Sequence, residues 1–284
     1  MKEVRRHHDY FYYGDKSVGY SFWSNTVDNQ KPDVVIFLGA GQTGAIVRMA
    51  AQRAGAGVVV IGGVPHWHAK PGTDIEDFTK LYFENAYQKI LSTYKTTKMH
   101  VLAESQAAPA AIFLISRLKE TGNLGLIHPL GFSVQAFGST AEARLKTFRR
   151  RILRTLFQYP QSFLYDPRNF LISLILFRAM LREASLASLN EKYAIGISYD
   201  STKDLQEAIQ VTRKRGNTIS FILGEKDKMF PPKEILKSLG LFDISHVNIN
   251  IIPSVSHSSL ATRGSKKVLT TALQAVRKNK HSRA

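Results

Sequence analysis

Val101-Leu102-Ala103-Glu104-Ser105-Gln106-Ala107 is the stretch on which the reading of this chain turns. An apolar run ends, a serine follows, and residues 106–120 read at once as a helix. Alanine stands two positions before the serine and two after it. A sharp strand-to-helix turn holds its serine in a strained backbone geometry, and only small residues fit beside it. The hydroxyl then projects above the sheet, and the N-terminus of the next helix points at the same spot. The backbone N–H of Gln106 is thereby a candidate donor to a developing oxyanion.

Outward from this turn, strands and helices alternate. Val34 to Leu38 is a continuous apolar run, as expected of a strand buried on both faces. A helix over about 43–54, a strand over 58–61, a helix over 75–94, a strand over 99–103, the helix at 106–120 and a strand over 124–127 follow. Repeated strand–helix units with short connections predict a mostly parallel sheet flanked by helices. Ahead of them, the aromatic-rich residues 8–13 and 18–23 flank Gly14-Asp15-Lys16 and predict a hairpin. From Gly138 the text becomes helix after helix, with no buried strand until Ile219 to Leu223. A strand over 247–252 and a helix over 260–278 close the chain. The expected organisation is an α/β core in two parts, residues 1–137 and 206–284, interrupted by a helical lid at 138–205.

Two later segments carry candidate chemistry. Ile219 to Pro232 (Ile-Ser-Phe-Ile-Leu-Gly-Glu-Lys-Asp-Lys-Met-Phe-Pro-Pro) is a strand ending in glycine, then an aspartate, Asp227, in a loop closed by proline; Glu225 is the alternative acid. Ile251-Ile252-Pro253-Ser254-Val255-Ser256-His257 puts a histidine a few residues past the last strand. With Ser105, these features resemble the α/β-hydrolase superfamily, in which the chain order is serine, acid, histidine. The usual Gly-x-Ser-x-Gly elbow has alanine at both glycine positions here, and Ser256 replaces the glycine often found before the histidine. The resemblance implies roles. His257 would activate the Ser105 hydroxyl and later protonate the leaving group, and Asp227 would fix the imidazole tautomer. A serine at the elbow also speaks against a dehalogenase, whose nucleophile is a carboxylate.

The loop Leu38-Gly39-Ala40-Gly41-Gln42-Thr43-Gly44 follows the first buried strand. Its glycines meet the dinucleotide spacing G-x-G-x-x-G, but that motif needs an acid about 20 residues on. The next strand ends Ile61-Gly62-Gly63-Val64-Pro65, with none. In the hydrolase reading Ala40 supplies the second oxyanion N–H, with Leu38-Gly39 where the family commonly has His-Gly. Gly41, His66, Trp67 and His128 are expected near the substrate pocket. His66 and His68 alternate on an extended segment, yet no third metal ligand is evident, so no metal and no cofactor are expected.

Composition bounds the rest. The chain has 284 residues, 44% hydrophobic and 21% charged, which suits one large core. It has no cysteine, which excludes disulfides, thiolate metal sites and a cysteine nucleophile. The N-terminal residues lack the run of roughly 7–15 apolar residues of a signal peptide, and the expected setting is cytoplasmic. The formal charge is +17, from 39 Lys+Arg and 22 Asp+Glu. Such an excess draws a protein toward anionic surfaces. Residues 144–154 carry six positive charges and no negative one, with Leu145, Phe148 and Ile152 on one helical face. That stretch reads as a lid helix with a solvated outer face, or as a dock for an anionic membrane; no specific nucleic acid is expected. Apolar residues over 170–181 favour an apolar or aromatic acyl substrate. The function implied is hydrolysis of carboxylic esters. Thioesterase, lactonase and C–C hydrolase chemistry share the triad, and a non-catalytic ligand-binding member of the fold is the alternative from another class.

Overall fold

In the computed structural model, residues 4–14, 16–25, 31–39, 42, 44–63, 75–132, 137–140, 142–144, 146, 147, 150, 151, 201–257 and 265–278 are described. They build one eight-stranded sheet of order β1-β2-β4-β3-β5-β6-β7-β8. Its strands are β1 (Arg5–Tyr13), β2 (Lys16–Asn25), β3 (Val34–Phe37), β4 (Val58–Ile61), β5 (Met99–Glu104), β6 (Thr121–Ile127), β7 (Ile219–Gly224) and β8 (Val247–Ile252). The hairpin β1–β2 joins β4 antiparallel, and β4, β3, β5, β6, β7 and β8 run parallel. The helices are α1 (Ala45–Ala54), α2 (Ile75–Tyr94), α3 (Ala108–Arg117), α4 (Thr202–Lys214), α5 (Pro232–Leu239) and α6 (Lys266–Arg277).

The unbroken apolar strands follow from helices on both sheet faces. Successive strand residues point to opposite faces. Val35, Phe37, Val59, Ile61, Val101 and Phe221 therefore belong to one buried cluster with residues of α2, α3, α4 and α5. Val34, Ile36, Val58, Val60, Leu102 and Ile222 belong to the other, with residues of α1 and α6. Helical spacing produces the covering stripes: Phe78, Tyr82, Ala86 and Ile90 recur every four residues along α2 and are buried. The Tyr87 hydroxyl, deep in this layer, donates toward Met99 O and Glu120 O at 3.3 and 2.9 Å. It thereby satisfies its one polar atom.

The strand and helix boundaries differ from the expected ones at a few ends. β6 begins at Thr121, three residues before the apolar run, because Asn123 is built into the sheet edge: its Nδ2 donates to Val276 O at 2.6 Å and its Oδ1 accepts Thr218 N. The helix after β5 starts with a 3₁₀ turn, Ser105–Ala107, and becomes α-helical at Ala108, with Pro109 in its first turn. α4 lies across the end of the segment read as a lid, and its Leu205, Ala208 and Ile209 pack into the core. Most of 138–205 lies outside the described residues; 142–144, 146, 147, 150 and 151 are helical. No helix among the described residues is long and apolar enough to cross a membrane.

Candidate active site

Parallel register brings the carboxyl ends of β5, β6 and β7 to one level, with Glu104 opposite Ile127 and Ile127 opposite Ile222. β8 ends beside them, Ile252 pairing with Gly224. The residue after each of the first two pairing positions is unusual. Ser105 has φ 51 and His128 has φ 46, both in the left-handed region that non-glycine residues avoid. At Ser105 the positive φ turns the chain out of β5 into the 3₁₀ turn, and the flanking Ala103 and Ala107 are buried. A Cβ at Gly39 would lie 3.2 Å from Ser105 Cβ and 3.3 Å from Glu104 O, so the first loop passes over the elbow as bare backbone. Leu130 N donates to Ser105 O at 3.1 Å from the other side.

Asp227 follows β7 in a tight turn closed by its own N–H to Gly224 O (3.0 Å). Lys226 N donates to Val255 O at 2.8 Å, which ties this loop to the one bearing His257. The Asp227 carboxylate is buried and accepts four bonds. Oδ1 takes Met229 N and Phe230 N at 2.8 and 2.9 Å. Oδ2 lies 3.0 Å from Nδ1 of His257 and 3.0 Å from Nδ1 of His128. Glu225, the alternative acid, is exposed and accepts Ser254 N instead. Phe230 packs edge-on against the His257 ring, centroids 5.3 Å apart.

Charge follows this wiring. Burial disfavours the Asp227 carboxylate, but the His257 charge and the hydrogen bonds from His128 and His257 outweigh it and hold the group well below the usual range. Burial pulls His257 down; the Asp227 charge, the hydrogen bond to it and the Glu104 charge push back harder, so its value lies above the usual 6.5. His128 goes the other way: burial dominates the pull of Asp227, and the ring is held neutral. Two imidazoles and a carboxylate with ligand atoms within 4.8 Å of one another are a donor set that a cation could use. Here the ring nitrogens are turned onto the carboxylate, and the three side chains read as a hydrogen-bond network rather than as metal ligands.

Of the residues expected at the site, Ser105, Gln106, His128, Asp227 and His257 cluster at this sheet edge, Gln106 within the first turn after the serine. His128 is buried beneath Asp227 and His257 rather than exposed on a pocket wall. Ala40, Gly41, His66 and Trp67 lie outside the described residues. The sequence reading passed over a buried polar pair. Glu104, directly before the serine and 2% exposed, accepts Gln42 Nε2 at 2.8 Å, bridging the elbow to the loop after β3. An acid closing an otherwise apolar strand was its signal. Arg151 was also hidden among the basic residues of 144–154. It donates to Met229 O at 2.8 Å, pairs with both Glu234 oxygens at 3.0 Å and stacks over Phe137 at 4.2 Å.

Strand order, helix placement and serine-bearing turn make this an α/β-hydrolase fold, and solved structures agree. A carboxylesterase of the ammonia-oxidizing thaumarchaeon Nitrososphaera gargenis aligns over 94% of this chain and 98% of its own, with a TM-score of 0.60 at 14% identity. The 2-hydroxy-6-oxo-6-phenylhexa-2,4-dienoate hydrolase of Rhodococcus sp. strain RHA1 aligns over 96% and 98%, with a TM-score of 0.61 at 15% identity. The α/β-hydrolase GrgF from Penicillium sp. sh18 aligns over 98% and 99%, with a TM-score of 0.62 at 13% identity. No protein-family model matches the chain, and no curated protein sequence matches it.

Proposed function

We propose that this protein is a serine hydrolase that cleaves carboxylic esters of apolar acyl or aromatic substrates through an acyl-enzyme on Ser105. The observation that carries the reading is the His257–Asp227 pair, Nδ1 to Oδ2 at 3.0 Å, at the sheet edge that bears a left-handed Ser105. With Nδ1–H given to the carboxylate, Nε2 keeps its lone pair and can act as a base. His257 takes the Ser105 hydroxyl proton as Oγ attacks the ester carbonyl. The tetrahedral oxyanion is met by the backbone N–H groups of Gln106 and Ala40. His257 then gives its proton to the departing alkoxide. Water, deprotonated by the same imidazole, releases the acid and restores the serine. Residues 138–205 serve as the lid over the acyl group.

Fluorophosphonate labelling of the full chain tests this directly. Labelling of wild type that disappears in Ser105→Ala, together with hydrolysis of p-nitrophenyl esters of graded acyl length, supports it. A folded wild-type protein that neither labels nor hydrolyses any ester of the series would favour a ligand-binding member of the fold instead.

A further inference from the structure

Asp227 Oδ2 serves two imidazoles, and the triad accounts for one. We propose that His128 is a positioning residue of this site: a neutral imidazole whose Nδ1–H shares Oδ2 with His257, fixing the carboxylate and tempering its pull on the neighbouring ring. The role rests on the hydrolase reading, since it matters only if His257 works as a base.

The local backbone is arranged around this ring. His128 occupies a left-handed conformation (φ 46), which costs an L-residue about 1–2 kcal/mol. Its N–H donates to Ile222 O at 3.0 Å, anchoring it to β7. Gly224 closes the other side: a Cβ there would lie 2.9 Å from His128 Cε1 and 2.6 Å from Val255 O. A side chain on that residue would evict the ring. Strain at one position and a missing side chain at another thus converge on placing an imidazole against the acid.

The tautomer follows from the same contacts. If Nε2 carried the proton, a fully buried donor would be left without a partner among the described residues, and the Nδ1 lone pair would face a carboxylate oxygen at 3.0 Å. With the proton on Nδ1, the ring donor meets a carboxylate oxygen at 3.0 Å and the Nε2 lone pair goes unmatched; this charge-assisted bond outweighs the longer contact that it displaces. The Gly224 N–H, 3.4 Å from Nδ1, is the long contact given up. A charged His128 is opposed by its burial, and His257, 5.3 Å away between ring centroids, would be its neighbour as an imidazolium. The other groups facing this pair are Asp227 and Glu104.

An oxygen that accepts two donors is less basic toward each. Removing His128 concentrates the carboxylate on His257, raises the imidazole's affinity for a proton and moves the acid limb of activity upward. Nitrogen-15 NMR of the side-chain imidazoles in the full chain reads both tautomer and titration, independently of turnover. In wild type, His128 is expected neutral and Nδ1-protonated at about pH 7, and to stay so to a lower pH than a free imidazole would. In His128→Ala, His257 is expected to titrate about one unit higher. In His128→Asn, whose amide can still donate and which tolerates a left-handed backbone, it is expected within about 0.3 of wild type. A wild-type His128 that is Nε2-protonated or charged overturns the proposal, as does a His257 titration that is the same in all three proteins. If the alanine variant does not fold, the wild-type tautomer and the asparagine variant decide. Failure of wild type to label with fluorophosphonate would strike the hydrolase reading and leave these titrations interpretable.

Discussion

Ser105 turns the chain out of β5 at the cost of backbone strain, and that strain has a measurable consequence. At φ 51 an alanine is as strained as the serine, whereas glycine is not. Ser105→Gly is therefore expected to be more stable than Ser105→Ala by about 1 kcal/mol, reversing the usual order of these two residues in ordered structure. Urea denaturation of the two variants checks it. The proton balance of the site is set at the same scale. The raised His257 must be neutral to act as a base, so kcat/KM is expected to fall as pH drops through a value above 6.5. A limb well below 6.5 would mean that Asp227 does not face a working imidazole.

Between elements, the tie that stands out runs from Arg151 to the loop after β7 and to α5. Arg151 meets both carboxylate oxygens of Glu234 on α5 and also Met229 O, and Met229 N is one of the donors that hold Asp227. Both side chains of the ion pair are largely buried, 12% and 20% exposed, so the pair is screened less than a surface bridge. A double-mutant cycle over Arg151→Ala and Glu234→Ala is expected to give a coupling of about 1–2 kcal/mol by thermal or urea denaturation. Arg151→Lys is expected to recover little of it, because an ammonium cannot make the two-pronged contact. A coupling near zero would show that Arg151 and Glu234 are energetically separate.

For the molecule as a whole, the two faces of the sheet are covered unequally. Four described helices lie on one face, and α1 and α6 lie on the other. α6 buries Val268, Leu269, Ala272 and Val276, and Arg277 grips Asp33 through two bonds of 2.8 and 2.7 Å. Truncation before Lys266 would expose the apolar underside of β5, β6 and β7 to water. Leu102, Ile127 and Ile222 lie there. That loss of burial is worth several kcal/mol, about the whole stability of an ordinary domain. The truncated chain is expected to lose its cooperative thermal transition by circular dichroism; a sharp transition near that of the full chain would refute the role given to α6.

The sequence by itself determined the alternation of strands and helices and the location of the elbow. Unbroken apolar runs such as Val34 to Leu38 can be satisfied only between two helical layers, and Ser105 with small neighbours at a strand end is a local steric signal. The family resemblance of residues 219–232 put Asp227 ahead of Glu225 as the expected acid. Tertiary structure alone decided what meets at the sheet edge. Nothing near His128 in the chain announces that its ring will lie on Asp227, 99 positions away. The Gln42–Glu104 and Arg151–Glu234 pairs are likewise far apart in sequence, by 62 and 83 positions. Periodicity reports which face of an element is buried. Hydrogen bonds between side chains depend on strand order, register and loop path, which are fixed only when the whole sheet has closed under its helices.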